Sequence, residues 1–231
     1  MKKLLIIGGV IIALVLAVIL NQRTENTKLT KSKYVFGIDI SHYQGNINWR
    51  KVAGTHHPIK FVYIRSTMGI NGKDKRYAAN YRNAKKQGFL VGAYHYYRPN
   101  ENSTRQFNNF AATVKLRKGD LPPVLDIELI GRQSRASIVK GVLNWLRLAQ
   151  RKYGVKPVLY TGRHFYDKYL KGRGGNYYLW ISSFSSKHKI RHHDWTFHQF
   201  TDKVRVTGIR STVDGNDFNG TLEELKGICV R

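Results

Sequence analysis

Acidic residues are scarce in this chain. Its 231 residues hold 14 Asp and Glu against 40 Lys and Arg, a formal net charge of +26. Cysteine is scarcer still: Cys229 is the only one, so no intramolecular disulfide can form. The domain has to be held by its core, which a chain this long can build. A lone thiol in an exported protein could pair between chains, but an unpaired thiol near the C-terminus is the simpler reading. Long apolar runs are absent with one exception. Residues 4–20, LLIIGGVIIALVLAVIL, are uncharged and follow Lys2 and Lys3.

That run is near the lower length limit for a spanning helix. A cleaved signal peptide is the competing reading, but no A-x-A pattern and no lipid-accepting cysteine follow the run. We read residues 1–21 as an uncleaved membrane anchor and 22–33 as a polar linker. Residues 34–231 then form one domain, with no further linker, repeat or low-complexity segment. Lys2 and Lys3 favour a cytoplasmic N-terminus, whereas Arg23, Lys28, Lys31 and Lys33 lie on the other side, so charge alone leaves the orientation open.

The domain itself carries 34 Lys and Arg against 13 Asp and Glu, a net +21. A field of that size selects polyanions, and nucleic acid, anionic envelope polymers and lipid headgroups all qualify. Lys115, Arg117 and Lys118 form one visible cluster and Lys187 to Arg191 another. No nucleic-acid-binding motif of the known kinds is present.

Apolar, β-branched and aromatic runs occur at 34–40, 61–66, 89–97, 123–129, 156–161, 177–182, 196–201 and 212–218. They predict eight strands. Helical stretches are predicted at 49–54, 74–87, 103–117, 135–153 and 163–170. In the clearest, Ile138, Val142, Trp145, Leu146 and Ala149 make one stripe and Gly154 closes the helix. Strands alternating with helices imply a parallel sheet. The last three strands have little helix between them, which suggests a β/α barrel whose final third has lost its helices. Chemistry in such barrels gathers at the C-terminal ends of the strands.

Four of the few carboxylates fall in apolar strands, where lost hydration demands a reason. They are Asp39 in YVFGIDI, Asp126 and Glu128 in PPVLDIEL, and Asp214 in TVDGNDF. Asp217 is expected to be the solvent-exposed member of the VDGND turn. Asp126 and Glu128 are two apart, so in a strand both point the same way, with Cβ atoms roughly 6–7 Å apart. Carboxyls that close cannot ionise independently, and one pKa should rise. One protonated acid beside one ionised partner is what glycosidic-bond cleavage requires. A calcium or magnesium site and plain ion pairing with Arg or Lys are the alternatives on pattern alone. The loop pairs His56/His57 and His192/His193 lack zinc spacing and are read as surface residues.

Around these acids the chain resembles glycoside hydrolase family 25, the Chalaropsis-type lysozymes. The resemblance runs through FGIDISHYQGNINW (36–49), FVYIRSTMG (61–69), GFLVGAYHYYRP (88–99), PPVLDIE (122–128), PVLYTG (157–162), YLWISSF (178–184) and HQFT with GIRSTVDGNDFNG (198–220). It implies a TIM-like (β/α)5β3 barrel and an N-acetylmuramidase that cuts the β-1,4 bond between N-acetylmuramic acid and N-acetylglucosamine with retention. Glu128 matches the general acid, Asp126 its partner at the anomeric carbon, and Asp39 and Asp214 two further acids lining the site. Asp126 could attack directly or orient the substrate's own acetamido group; the N-acetylated sugar favours the second. Tyr94, Tyr160 and Trp180 are candidate sugar-stacking residues, and Gln199 a hydrogen-bonding one. His198 departs from the pattern, standing where an aromatic residue is expected, and could alter one wall of the site. Neither metal nor cofactor is implied. The expected partners are peptidoglycan, anionic envelope polymers and, through residues 4–20, the membrane. The expected form is a monomeric single-pass protein with its domain outside the cytoplasm. A non-catalytic wall-binding barrel is the alternative, against which the complete acid set speaks.

Overall fold

The structure is a computed structural model that describes residues 15–17 and 34–231. The anchor expected over 4–20 lies outside the described residues except for 15–17, which are helical. Among the described residues no helix is long and apolar enough to cross a membrane. Tyr34–Thr55 and Ile59–Arg231 belong to one compact unit, and residues 56–58 are assigned to another.

The elements follow in order. They are β1 (Val35–Ile40), α1 (Trp49–Ala53), β2 (Phe61–Met68), β3 (Gly72–Lys73), α2 (Tyr77–Lys86), β4 (Leu90–Tyr96), α3 (Ser103–Thr113) and β5 (Val124–Asp126). Then come α4 (Arg135–Tyr153), β6 (Val158–Gly162), α5 (Arg163–Phe165), β7 (Tyr178–Ser182), β8 (Phe197–Val204), β9 (Val213–Phe218) and α6 (Leu222–Gly227). Neighbouring strands run β1-β9-β8-β7-β6-β5-β4-β2, and a β1–β2 pairing closes the ring into an eight-stranded barrel. All pairings from β1 through β2 and on to β8 are parallel, and only β9 runs antiparallel to both its neighbours. Helices follow each of the first five barrel strands, and among the last three the described residues hold only one short 3-10 turn at Lys187–Ile190, as the spacing of apolar runs predicts. The short β3, which hairpins back onto the end of β2, and the terminal α6 are not anticipated.

Local chemistry fixes the ends. Ser134 caps α4 by accepting from the Ser137 N–H, and Gly154 closes it with φ 69, a left-handed conformation suited to glycine. The expected helix over 74–87 starts only at Tyr77. Asp74 is occupied elsewhere, accepting from the backbone N–H groups of His42 and Arg76. The stretch 163–170 is not a plain α-helix, because one turn passes into a π-helical turn over Tyr166–Leu170.

The barrel interior is aromatic. Phe61, Tyr63, Trp180 and Phe197 interlock there with ring centroids 4.9 to 6.2 Å apart. At the end where the parallel strands begin, Leu225 of α6 and Cys229 pack into the same cluster and seal the barrel. Cys229 is buried and its Sγ–H reaches the Leu225 carbonyl at 3.4 Å, so the thiol is part of the core.

Candidate active site

The open end of the barrel is built where strands stop. Tandem prolines 122 and 123 lead into β5, whose three residues are all buried. The strand ends at Asp126, paired with Tyr96 and Tyr160 on its two neighbours. Ile127 turns into the protein and is fully buried, and its N–H donates to the Tyr160 carbonyl at 3.0 Å. Glu128 therefore comes back to the side of Asp126. It does so two residues past the end of the strand, not within a strand as the sequence suggests. Asp126 is buried, whereas the Glu128 side chain is exposed at the rim.

Asp39 is the penultimate residue of β1, directly opposite Asp214 of β9. Its Oδ2 accepts from Asn216 Nδ2 at 2.8 Å and from Gln199 Nε2 at 3.1 Å. The far end of each amide is also engaged. Gln199 Oε1 accepts from the Tyr160 hydroxyl at 2.9 Å and the Ser182 hydroxyl at 2.8 Å. Asn216 Oδ1 accepts from Trp180 Nε1 at 3.0 Å.

All eight residues singled out from the sequence line one open cavity of about 320 Å³: Asp39, Asp126, Glu128, Asp214, Tyr94, Tyr160, Trp180 and Gln199. Their individual surroundings differ. Trp180 is only 2% exposed, with Tyr63, Tyr160 and Phe197 around it, so it is the floor of the cavity and offers no free face for stacking. Gln199 has both ends of its amide committed to protein partners. Sequence reasoning missed Phe184, 58% exposed at the rim, and Asp202, Asn216, Ser182 and Arg65. A larger groove of about 860 Å³ between α3 and α4 has Glu101 as its single acid and cannot pair carboxyls.

The electrostatics divide the acids into two pairs. Asp126 and Glu128 share a hydrogen bond, as do Asp39 and Asp214. Burial raises all four pKa values; like charge raises those of Asp126, Glu128 and Asp214 further, whereas the hydrogen bonds from Asn216 and Gln199 pull that of Asp39 back. Asp126, the more buried of its pair, is held well above the usual carboxylate range, and Asp214 is pushed up to about 8. The guanidinium of Arg65 pulls Asp126 the other way. Within the Asp126–Glu128 pair the proton is therefore not committed to Glu128. The phenols of Tyr94 and Tyr160 are also raised by burial and by the surrounding carboxylates, so both remain neutral hydrogen-bond donors.

Three expectations need correction. Asp217 does not face solvent, because VDGND is strand β9 and not a turn. Alternation puts Asp217 on the opposite face from Asp214 and Asn216, buried and ion-paired with Lys187. His198 forms no wall of the cavity. It alternates with Gln199 along β8, faces outward and bonds the Ser183 carbonyl at 2.9 Å. His193 is not a free surface residue, since its Nε2 meets Asp167 at 2.7 Å with the side chain 6% exposed.

The amides directed at Asp39 suit an anion or a shared proton, not a neighbouring cation. Among the described residues no group of three or more His, Cys, Asp or Glu side chains is arranged to hold a metal ion.

The model of glycosyl hydrolases family 25 matches residues 38–209. The chain belongs to that family. Lysozyme M1 of Streptomyces globisporus is 33% identical over 211 residues, covering 84% of this chain and 71% of that protein. A family 25 glycosyl hydrolase from Bacillus anthracis superposes with a TM-score of 0.78 at 30% identity, covering 84% of this chain and 93% of that one. The bacterial lysozyme from Streptomyces coelicolor gives a TM-score of 0.76 at 31% identity, over 86% and 98%. The protein is thus a glycoside hydrolase with the TIM-like barrel of family 25. The alternative of a barrel that binds wall without cutting it finds no support in these relatives.

Proposed function

We propose that the protein is a lysozyme that hydrolyses the β-1,4 bond between N-acetylmuramic acid and N-acetylglucosamine in peptidoglycan, with retention and with help from the substrate's acetamido group. The observation that carries this reading is the pair Asp126–Glu128, sharing a hydrogen bond at an open cavity floored by aromatic rings.

In this reading the acetamido N–H of the bound muramic residue donates to Asp126. A hydrogen bond to the charged form favours that form, so negative charge settles on Asp126 and the shared proton on Glu128. Glu128 then protonates the leaving oxygen while the acetamido oxygen attacks the anomeric carbon. Glu128, now ionised, takes a proton from the water that opens the cyclic intermediate, which restores the starting state. Asp39, locked by Asn216 and Gln199, and Asp214 beside it set the potential around this pair. Tyr94 offers a phenolic donor to sugar hydroxyls, Tyr160, whose O–H is given to Gln199, can accept from them, and Phe184 supplies the exposed face that Trp180 does not.

The tether belongs to the same reading. Residues 4–20 hold the protein in the cell membrane as a single pass, with the barrel outside the cytoplasm, where its substrate is. The protein acts as a monomer, and its net positive charge draws it to anionic envelope polymers.

Glu128→Gln tests the mechanism. The variant should lose lysis and keep binding to insoluble peptidoglycan. Mass analysis of the wild-type digest should find N-acetylmuramic acid at the new reducing ends. Lysis by Glu128→Gln at the wild-type rate, or N-acetylglucosamine at those ends, would refute the assignment.

A further inference from the structure

Three large apolar side chains stand exposed on the barrel among the described residues: Tyr43 at 75%, Leu129 at 60% and Phe184 at 58%. Each lies just past the C-terminal end of a strand, beyond β1, β5 and β7 respectively. These strands run parallel, so all three side chains gather at the mouth. Single exposed apolar residues are ordinary, but a set of them around one opening marks a surface that meets a ligand. The cavity itself is small. Its volume of about 320 Å³ is at the lower end for a ligand pocket, whereas a glycan is a polymer and has to leave over the rim. Phe184 belongs to the cavity wall and Leu129 follows Glu128 directly, but Tyr43 lies outside the lining.

Tyr43 is the most exposed of the three, and its setting is rigid. Its backbone is fixed in the single 3-10 turn His42–Gln44, where Ser41 and Gln44 form a capping box and the Tyr43 N–H donates to Ser41 Oγ at 3.3 Å. The ring packs on two neighbours, the His42 imidazole with centroids 4.4 Å apart and the Arg65 guanidinium 5.0 Å from the ring centre. His42 and Arg65 also touch each other, Nη2 donating to Nδ1 at 2.6 Å. On opposite faces of Tyr43 the ring itself would separate them and that bond could not form. They therefore back one face and leave the other free. Both are anchored in turn by the buried side chain of Asp74, which meets His42 Nδ1 at 3.0 Å and Arg65 Nε at 3.4 Å. A ring held this way loses little freedom when a ligand covers it. Arg65 sets it beside the reaction centre, since the same guanidinium acts on Asp126. In the ring of strands β2, which carries Arg65, stands opposite β7, which leads to Phe184. Tyr43 and Phe184 thus flank the cavity from opposite sides.

We propose that Tyr43 forms a further glycan subsite at the rim, stacking on a sugar of the bound strand beyond the two joined by the cleaved bond. This rests on the reading of the protein as a lysozyme. A sugar is the occupant because the free face borders the opening over which a glycan must pass. The apolar C–H face of a pyranose covers a flat ring while its hydroxyls stay in water. A lone tyrosine offers at most about 200 Å², far short of the roughly 800 Å² per partner of a protein interface.

The test measures kcat and KM of the full chain on soluble glycan strands of four, six and eight sugars, all built from the repeat of N-acetylglucosamine and N-acetylmuramic acid. Tyr43→Ala should raise KM for the eight-sugar strand at least about fivefold, as expected for one lost stacking contact. Its kcat should stay within about twofold of the wild type. Tyr43→Trp should keep the wild-type KM, and neither change should alter the melting temperature, because the side chain is exposed. The shortest strand on which Tyr43→Ala and the wild type differ places the subsite along the glycan. An unchanged KM on the eight-sugar strand overturns the proposal. So does a fall in kcat of about tenfold, or a displaced pH–rate profile, at unchanged KM, since either means that Tyr43 works through Arg65 and not on the substrate. A wild-type protein that cuts none of the strands fails the lysozyme reading and the subsite with it, whereas equal cutting by the wild type and Tyr43→Ala fails the subsite alone.

Discussion

Asp39 and Asp214 face each other across the β1–β9 pair and share a hydrogen bond, two acids where electrostatics allows a single charge. Their proton makes stability depend on pH. In the unfolded chain a carboxyl ionises near 4. In the folded protein burial and the neighbouring Asp39 hold the Asp214 proton up to about 8. Stability from this group is complete below pH 4 and is lost as pH rises toward 8. His95 acts in the opposite sense. Burial lowers its pKa to about 4, so below about 6.5 the unfolded chain binds a proton that the folded one refuses. The two trends oppose each other between about 4 and 6.5, and only the loss remains above. Thermal unfolding should show Tm falling from pH 6.5 to 8, with a smaller fall in Asp214→Asn. Identical falls in both proteins would contradict the shared proton.

Asn216 joins two buried groups, donating to Asp39 and accepting from Trp180. Asn216→Ala leaves the indole N–H without an acceptor inside the barrel, at a cost of about 1–3 kcal/mol. For a domain of this size that lowers Tm by roughly 3–10 °C. Asn216→Asp keeps the acceptor for Trp180 but turns an oxygen toward Asp39. Its loss should grow as pH rises, whereas that of Asn216→Ala should not. Calorimetry at two pH values separates the variants.

The barrel was largely legible in the sequence because strand and helix periods alternate cleanly. The α4 stripe from Ile138 to Ala149 is buried residue for residue. Sequence reasoning faltered where period two breaks. Asp202 reaches the cavity although it is three residues from Gln199, because β8 shifts register between Gln199 and Thr201 and again before Val204. Asn216 could have been found, since it stands two residues from Asp214 on the same face, the rule that links Asp126 to Glu128. Asp217 was misplaced because V-D-G-N-D has the composition of a turn, while the pairing of β9 with both β1 and β8 overrides that local preference. Phe184 gives no periodic signal at all, for it lies beyond the end of β7.

Arg65 is the cation that acts on Asp126. It is held in place by Asp74 at 3.4 Å and by His42, whose Nδ1 accepts from its Nη2 at 2.6 Å. Removing its charge raises the Asp126 pKa further, since an opposite charge favours the ionised form. In Arg65→Gln the limb of the pH–rate profile set by ionisation of Asp126 should move to higher pH by roughly half a unit or more. Arg65→Lys, which keeps the charge, should return the profile most of the way. A profile unchanged in Arg65→Gln would mean that Asp126 does not have to ionise for turnover.

The two roles open to Asp126 differ in what they ask of the substrate. As a nucleophile it needs only the anomeric carbon, and a glycan without acetyl groups should be cut about as well as the natural one. As the partner of an acetamido N–H it needs that group, and its removal takes away the atom that attacks. Asp126 lines the cavity, so its carboxyl is placed beside a bound sugar. Covalent assistance of this kind lowers barriers by effective molarities worth several powers of ten. N-deacetylated peptidoglycan should therefore be cleaved at least about a hundredfold more slowly, with kcat falling more than KM rises. Asp126→Asn should lose less on the deacetylated glycan than on the natural one, because part of what it disturbs is already gone. Equal rates on both glycans, together with a glycosyl group found covalently attached to Asp126 by mass spectrometry, would assign the attack to the protein instead.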